Sequence, residues 1–179
     1  MAVAPTHSRL AAFGAGGLDV EVLLWDIPYL VPFRIARPDP NEESSRTAFV
    51  HITDRATGID GWGEGCADPY YGDTPETIAA VAPLLFSVAL PALEAALAEA
   101  GGATTGGGYA SARGLAGISG RAADALAPMN DAMDLALGHH GAAKSAIEQA
   151  LHDLLARSAS TSLRRWLGAP ERIGPTNLT

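Results

Sequence analysis

Residues 143–168 read AKSAIEQALHDLLARSASTSLRRWLG, and the spacing of apolar residues in this stretch decides the fold. Ala143, Ile147, Ala150 and Leu154 recur at i, i+4, i+7 and i+11, and Ala146, Leu151 and Leu155 widen the same stripe. That period is the mark of an amphipathic helix lying on a core. Lys144, Glu148, His152, Asp153 and Arg157 fall mostly on the other, solvated side, where Asp153 and Arg157 form a favourable i,i+4 pair. A second short apolar segment, Leu163 with Trp166 and Leu167, is closed by Gly168 and Pro170, both stop signals.

Upstream of this helix the chain alternates between strand and turn chemistry. Residues 1–17 are rich in Gly, Ala and Pro and are expected to form a mobile tail. Residues 18–27 (LDVEVLLWDI) read as a first strand, 46–53 (RTAFVHIT) as a second and 59–64 (IDGWGE) as a third. Turn residues at 54–58 join the last two. Four prolines in 28–45 forbid a ladder, so that stretch is a long loop, and 65–74 (GCADPYYGDT) is another. Thr74 is placed to cap a helix with Pro75 at its first position; the helix runs to about residue 100 and is expected to kink or divide at Pro83 and Pro91. Residues 101–120 hold eight glycines, too many for a regular element, and read as a flexible excursion or an insertion. A further helix over 121–137, with Pro128 as a weak point, leads into the opening stretch.

Length and composition bound the function. At 179 residues, 47% hydrophobic and 18% charged, the chain has material for one good core and reads as a soluble globular protein. Its net charge of -8 disfavours nucleic acid and anionic membranes as partners, since both call for basic surface. A single cysteine, Cys66, forms no internal disulfide. The N-terminus lacks the charge and the continuous apolar core of a secretion signal, and the run 79–93 is interrupted by prolines and too short to span a bilayer. A cytoplasmic location is expected.

The order of residue types in the opening stretch adds to its periodicity. Ala-x-Ser-Ala-Ile-Glu-x-Ala-Leu-x-Asp-Leu-x-Ala-Arg from Ala143 to Arg157, then Ser162-Leu163 and Leu167-Gly168, resembles a signature of the mandelate racemase and muconate lactonizing enzyme group of the enolase superfamily. Trp166 replaces a usual aliphatic residue, Ser162 a common proline and His152 a common aromatic. The meander agrees: GWGE at 61–64 resembles the end of the family's third strand, and 173–179 (IGPTNLT) resembles the start of its first barrel strand. The resemblance implies an α+β fold, a three-stranded antiparallel meander followed by a helical bundle, with the (β/α)7β barrel absent. It divides the chain into a tail (1–17), a capping domain (18–168) and the start of a truncated barrel (169–179).

Such a domain would belong to a Mg²⁺-dependent racemase, epimerase, cycloisomerase or dehydratase that abstracts a proton α to a carboxylate. The bases and metal carboxylates of that chemistry sit on later barrel strands. Here Lys144 is the only lysine, so no Lys-x-Lys pair exists; catalytic and metal-binding residues are expected to be none, and the chain is expected to be inactive alone. What remains is substrate selection by the two loops: Phe33 and Arg34 in the first, Tyr70 and Tyr71 in the second, which are candidates for contact with a carboxylate-bearing small molecule or else ordinary loop anchors. Glu64 is expected to hydrogen-bond loop amides. His139, His140 and His152 match no zinc spacing, and Cys66 beside Asp68 has the wrong electrostatics for a nucleophile. The alternative function is a stand-alone, non-catalytic module whose barrel-facing surface binds a separate barrel or a second copy.

Overall fold

A computed structural model describes residues 4–30, 44–99, 122–170 and 172. The expectations for Phe33, Arg34, residues 101–120 and the barrel-strand start at 173–179 fall outside the described residues.

The strands come first: β1 (Thr6–Ala15), β2 (Leu18–Pro28), β3 (Ser44–Asp54) and β4 (Asp60–Gly65) form one antiparallel sheet in sequence order. The three expected strands are β2, β3 and β4. The sheet has a fourth member, because the segment expected to be a mobile tail is β1, paired with β2 from Thr6–Asp26 to Ala15–Leu18. A bulge between Arg9 and Ala11 shifts its register. That bulge breaks the period-2 alternation a strand normally shows, and the small residues Ala11 and Ala15 hide the apolar face. Phe13 nevertheless meets Phe86 edge-on at 5.8 Å between ring centroids, so β1 is packed on the core.

Among the described residues, α1 (Pro75–Glu99) and α3 (Gly141–Ser158) cover one face of the sheet, with α2 (Ala122–Ala136) packed on α1 and the single turn α4 (Leu163–Trp166) packed on α3. Thr74 caps α1 as the sequence implies, its Oγ1 accepting from Thr77 N at 3.2 Å while Thr77 Oγ1 accepts from Thr74 N at 2.9 Å. Of the two expected outcomes, division does not occur: α1 runs through Pro83 and Pro91 as one helix. Both prolines are solvent-exposed and eight residues apart, so the carbonyls they leave unpaired face water and the buried side of the helix is untouched. That side carries Ile78, Ala82, Leu85, Phe86, Ala89 and Leu93, all fully buried. The 18-residue window of α1 with mean hydropathy 1.9 satisfies a length-and-composition test for a membrane span, but these side chains make it a core helix.

The contact between β4 and α3 sets the geometry of the molecule. Gly61, Gly63 and Gly65 alternate on the helix-facing side of β4. A Cβ at Gly61 would meet the Ala150 carbonyl and stand 2.7 Å from Leu154 N; one at Gly63 would meet the Ala146 carbonyl and stand 2.7 Å from Ala150 N. Strand and helix therefore touch backbone to backbone, glycine against alanine. Among the described residues β4 is also an edge strand, with backbone groups that no fifth strand pairs. Side chains spaced i,i+4 on α3 take that place. Asp153 Oδ2 accepts from Trp62 N (3.1 Å), Gln149 Oε1 accepts from Glu64 N (3.3 Å), and Gln149 Nε2 donates to Glu64 O (3.1 Å). Arg157 then bridges Asp153 (3.0 Å) and Asp60 (2.9 Å).

One residue of α3 departs from its expected environment. His152 is not on a solvated face but buried, 7% exposed, where its Nδ1 accepts a hydrogen bond from Trp166 Nε1 at 3.0 Å. Burial pushes the imidazole below its ordinary pKa of 6.5, against the opposing pull of Glu148. The two residues that depart from the family pattern on α3 and α4 thus satisfy each other. A buried indole N–H demands an acceptor, and the histidine supplies it.

Candidate functional site

At the end of β4 the chain leaves the sheet and enters the loop 65–74, which returns to start α1. Two aspartates fix the loop's shape. Asp68 Oδ1 accepts from Tyr70 N at 2.8 Å and begins a 3-10 turn over Pro69–Tyr71, ended by left-handed Gly72 (φ 85°). Asp73, 7% exposed, turns inward to the start of α3, where its carboxylate lies 3.2 Å from His140 Nδ1 and accepts from Ala142 N at 3.4 Å. A carboxylate on the first amides of a helix satisfies groups that have no intrahelical partner and favours the positive end of the helix dipole.

His139 and His140 approach α3 in left-handed conformations, φ 60° and 53°. Residues other than glycine adopt these rarely, at roughly 1–2 kcal/mol each. The Asp73–His140 contact lies where that strain is held. Between the loop and α3 opens a cleft of about 780 Å³, with Glu64, Asp68, Tyr71, Asp73, His140 and Gln149 in its wall. Its wall combines the carboxylates of Glu64, Asp68 and Asp73 with a larger share of apolar surface.

Tyr70 and Tyr71, the described pair of the expected selectivity residues, stand on this loop at 75% and 77% exposure. Their rings meet edge to face at 5.0 Å, and neither is inserted into the core; Asp68 and Asp73 tie the loop through hydrogen bonds. Tyr71 lines the cleft, and Tyr70 is not part of its wall. Glu64 is not bonded to loop amides. Its Oε1 accepts from Thr47 Oγ1 at 3.0 Å, because the loop turns away toward α3 and the neighbouring strand is nearer. Cys66 is exposed and unbridged. Asp73 escaped sequence reasoning altogether, since its partners lie 67 and 69 positions away and no local spacing announces them.

Among the described residues no group of three or more His, Cys, Asp or Glu side chains converges to hold a metal ion. The acidic side chains of the cleft are each engaged elsewhere: Glu64 with Thr47, Asp68 with its own turn and Asp73 with α3. The described residues do not fit a Mg²⁺ site. The arrangement can offer a substrate an aromatic wall and hydrogen-bonding edges.

No curated protein and no solved structure matches the chain. A family model, Mandelate racemase / muconate lactonizing enzyme, N-terminal domain, matches residues 19–168, from the first residues of β2 through the glycine that ends α4. That match spans most of the chain and includes the glycine–alanine seam, the aspartate-anchored loop and the α3–α4 corner. The chain belongs to the mandelate racemase/muconate lactonizing enzyme family of the enolase superfamily and carries its N-terminal, capping domain.

Proposed function

We propose that this domain selects substrate for, and closes the active site of, a Mg²⁺-dependent enzyme that abstracts a proton α to a carboxylate. The racemase, epimerase, cycloisomerase and dehydratase reactions all pass through the enediolate that this step forms. The observation that carries the proposal is the loop 65–74, tied at Asp68 and Asp73 while Tyr70 and Tyr71 project from it. A loop anchored at its base with an exposed aromatic tip has the build of a lid: it excludes water and contacts apolar parts of a small molecule without taking part in the chemistry.

The rest of the active site would come from a barrel following α4. Leu163 and Leu167, 37% and 43% exposed on and just after α4, lie where that barrel would begin and would be covered by it. Capping domain and substrate are small, acidic and soluble in this scheme, and the enzyme is assigned to the cytoplasm. The test is proton exchange in deuterated water, followed by NMR, for a panel of carboxylic acids with Mg²⁺. The 179-residue chain should exchange none of them. A chain extended through a barrel should exchange at least one, and replacing Tyr71 by alanine should raise KM for that acid more than it lowers kcat. Exchange by the 179-residue chain alone would overturn the proposal.

A further inference from the structure

The helices cover one face of the sheet. On the other, Leu23, Trp25, Phe49 and Trp62 are partly exposed, and none belongs to the core cluster or packs against it. Two parallel diagonal rows cross all four strands there. The first is aromatic: His7 stacks on Trp25 (4.7 Å), Trp25 meets Phe49 (6.1 Å), and Phe49 meets Trp62 (6.5 Å), both edge to face. A groove of about 300 Å³ along this row is lined by Pro5, Trp25, Ile27, Phe49 and Trp62, with apolar surface alone.

The second row alternates basic and acidic residues, one from each strand: Arg9, Glu21, His51 and Asp60. Successive members lie 2.9, 3.5 and 3.2 Å apart. Hydrogen bonding to Arg9 holds the Glu21 carboxyl below its ordinary range. Asp60 is also held low: its partial burial, which acts the other way, is outweighed by hydrogen bonds from Trp62 and His51 and by Arg157.

We propose that this face is the interface of a twofold dimer of the chain, distinct from the surface that meets a barrel and independent of the capping role. An alternating row across an even number of strands is complementary to itself when reversed. A twofold axis lying between two such faces, at right angles to both rows, sets Arg9 of one copy over Asp60 of the other and Glu21 over His51. The same operation sets Trp25 over Phe49 and His7 over Trp62. Each contact then occurs twice, as an isologous interface requires. Aromatic side chains and arginine are the groups enriched in such interfaces.

The area fits a weak dimer. Four strands about 4.8 Å apart, with about eight residues each at 3.3 Å rise, present roughly 500 Å² per copy. Two copies reach about 1,000 Å², the lower bound for a specific interface, so a dissociation constant on the order of 10 μM is expected.

Sedimentation velocity on the 179-residue chain over roughly 1–300 μM decides the matter. The expected result is a concentration-dependent monomer–dimer equilibrium, weakened at least tenfold by Phe49→Glu and unaffected by Leu135→Glu, which places the same charge on the exposed side of α2. Arg9→Glu, on an exposed edge strand, repeats the test if Phe49→Glu does not fold. It should dissociate the dimer alone and recover it when mixed with Asp60→Lys, because only the mixed pair sets opposite charges over each other. A monomer at every concentration overturns the proposal. So does a dimer indifferent to Phe49→Glu and Arg9→Glu, or one lost with Leu135→Glu, since association would then use another face.

Discussion

Gly63→Ala tests whether the backbone contact between β4 and α3 determines stability. The new Cβ would meet the Ala146 carbonyl and stand 2.7 Å from Ala150 N, where ordinary contact begins at 3.4 Å. Both obstacles are backbone, so no rotamer change relieves them, and α3 must withdraw by about 1 Å. A gap of that size forfeits a quarter to a half of each dispersion contact across it, and α3 buries Ile147, Leu151 and Leu154 in the same core. This places the substitution near the upper end of the overpacking range, about 3 kcal/mol. Replacing glycine also stiffens the unfolded chain, which stabilises by about 0.4–1 kcal/mol. The net loss is about 2 kcal/mol. Urea denaturation should show a lower midpoint at unchanged slope. Gly17→Ala is the control: a Cβ there meets nothing within 4 Å, so only the entropic gain remains. If Gly63→Ala falls within about 0.5 kcal/mol of Gly17→Ala, the close approach is not what joins sheet to helices.

Removing the α1 cap with Thr74→Ala should destabilise by about 1 kcal/mol in the same urea assay. Asp73→Asn should leave the midpoint nearly unchanged but speed amide hydrogen exchange across residues 66–72, because it weakens the tie between loop and α3; unchanged exchange there would remove Asp73 as the anchor. His152 is held below its ordinary pKa of 6.5 by burial, so the unfolded chain takes up its proton first. The stability from keeping it neutral is therefore complete above about pH 6.5 and declines as pH falls toward the lowered folded value. Denaturation midpoints measured from pH 7.5 to 5 should fall less steeply for His152→Phe than for the native chain. Trp166→Phe should destabilise by about 1–3 kcal/mol, since it leaves His152 Nδ1 buried without a donor, whereas Trp166→Phe with His152→Phe should recover part of the loss.

Elements whose apolar residues keep a regular period were legible in the sequence. The stripe from Ala143 to Leu154 gave α3, and Thr74-Pro75 marked the start of α1 to the residue. β1 was not legible, because a bulge and small side chains erase the alternation on which strand recognition rests. Whether α1 divides at its prolines was not legible, because the effect of a proline depends on which side of the helix faces water. At the site, the exposed tyrosines could be named from loop chemistry, but the groups that aim them could not. Asp73–His140 and His152–Trp166 are contacts between distant segments, and pairwise geometry of that kind leaves no mark on local composition.

The signature on α3 acquires a physical meaning from the sheet edge. Ala146 and Ala150 are small because Gly61 and Gly63 bring a strand backbone onto them. Gln149 and Asp153 are polar because, among the described residues, that strand has no neighbouring strand on its outer side and its amides need acceptors. Arg157 completes the set by holding Asp153 and Asp60 together. A helix carrying these groups at i,i+4 spacing does the work of a fifth strand, and it does so in one register only, since a shift by one residue would turn alanines away from the glycines and carboxamide away from the edge. The end of β4 and the start of α3 are thereby fixed relative to each other. The loop that leaves β4 toward α1, pinned to α3 by Asp73, inherits that rigidity. Under the proposed capping role, the placement of Tyr70 and Tyr71 over a substrate would be determined by the seam that secures the fold, and a substitution in the seam should disturb selectivity before it unfolds the chain.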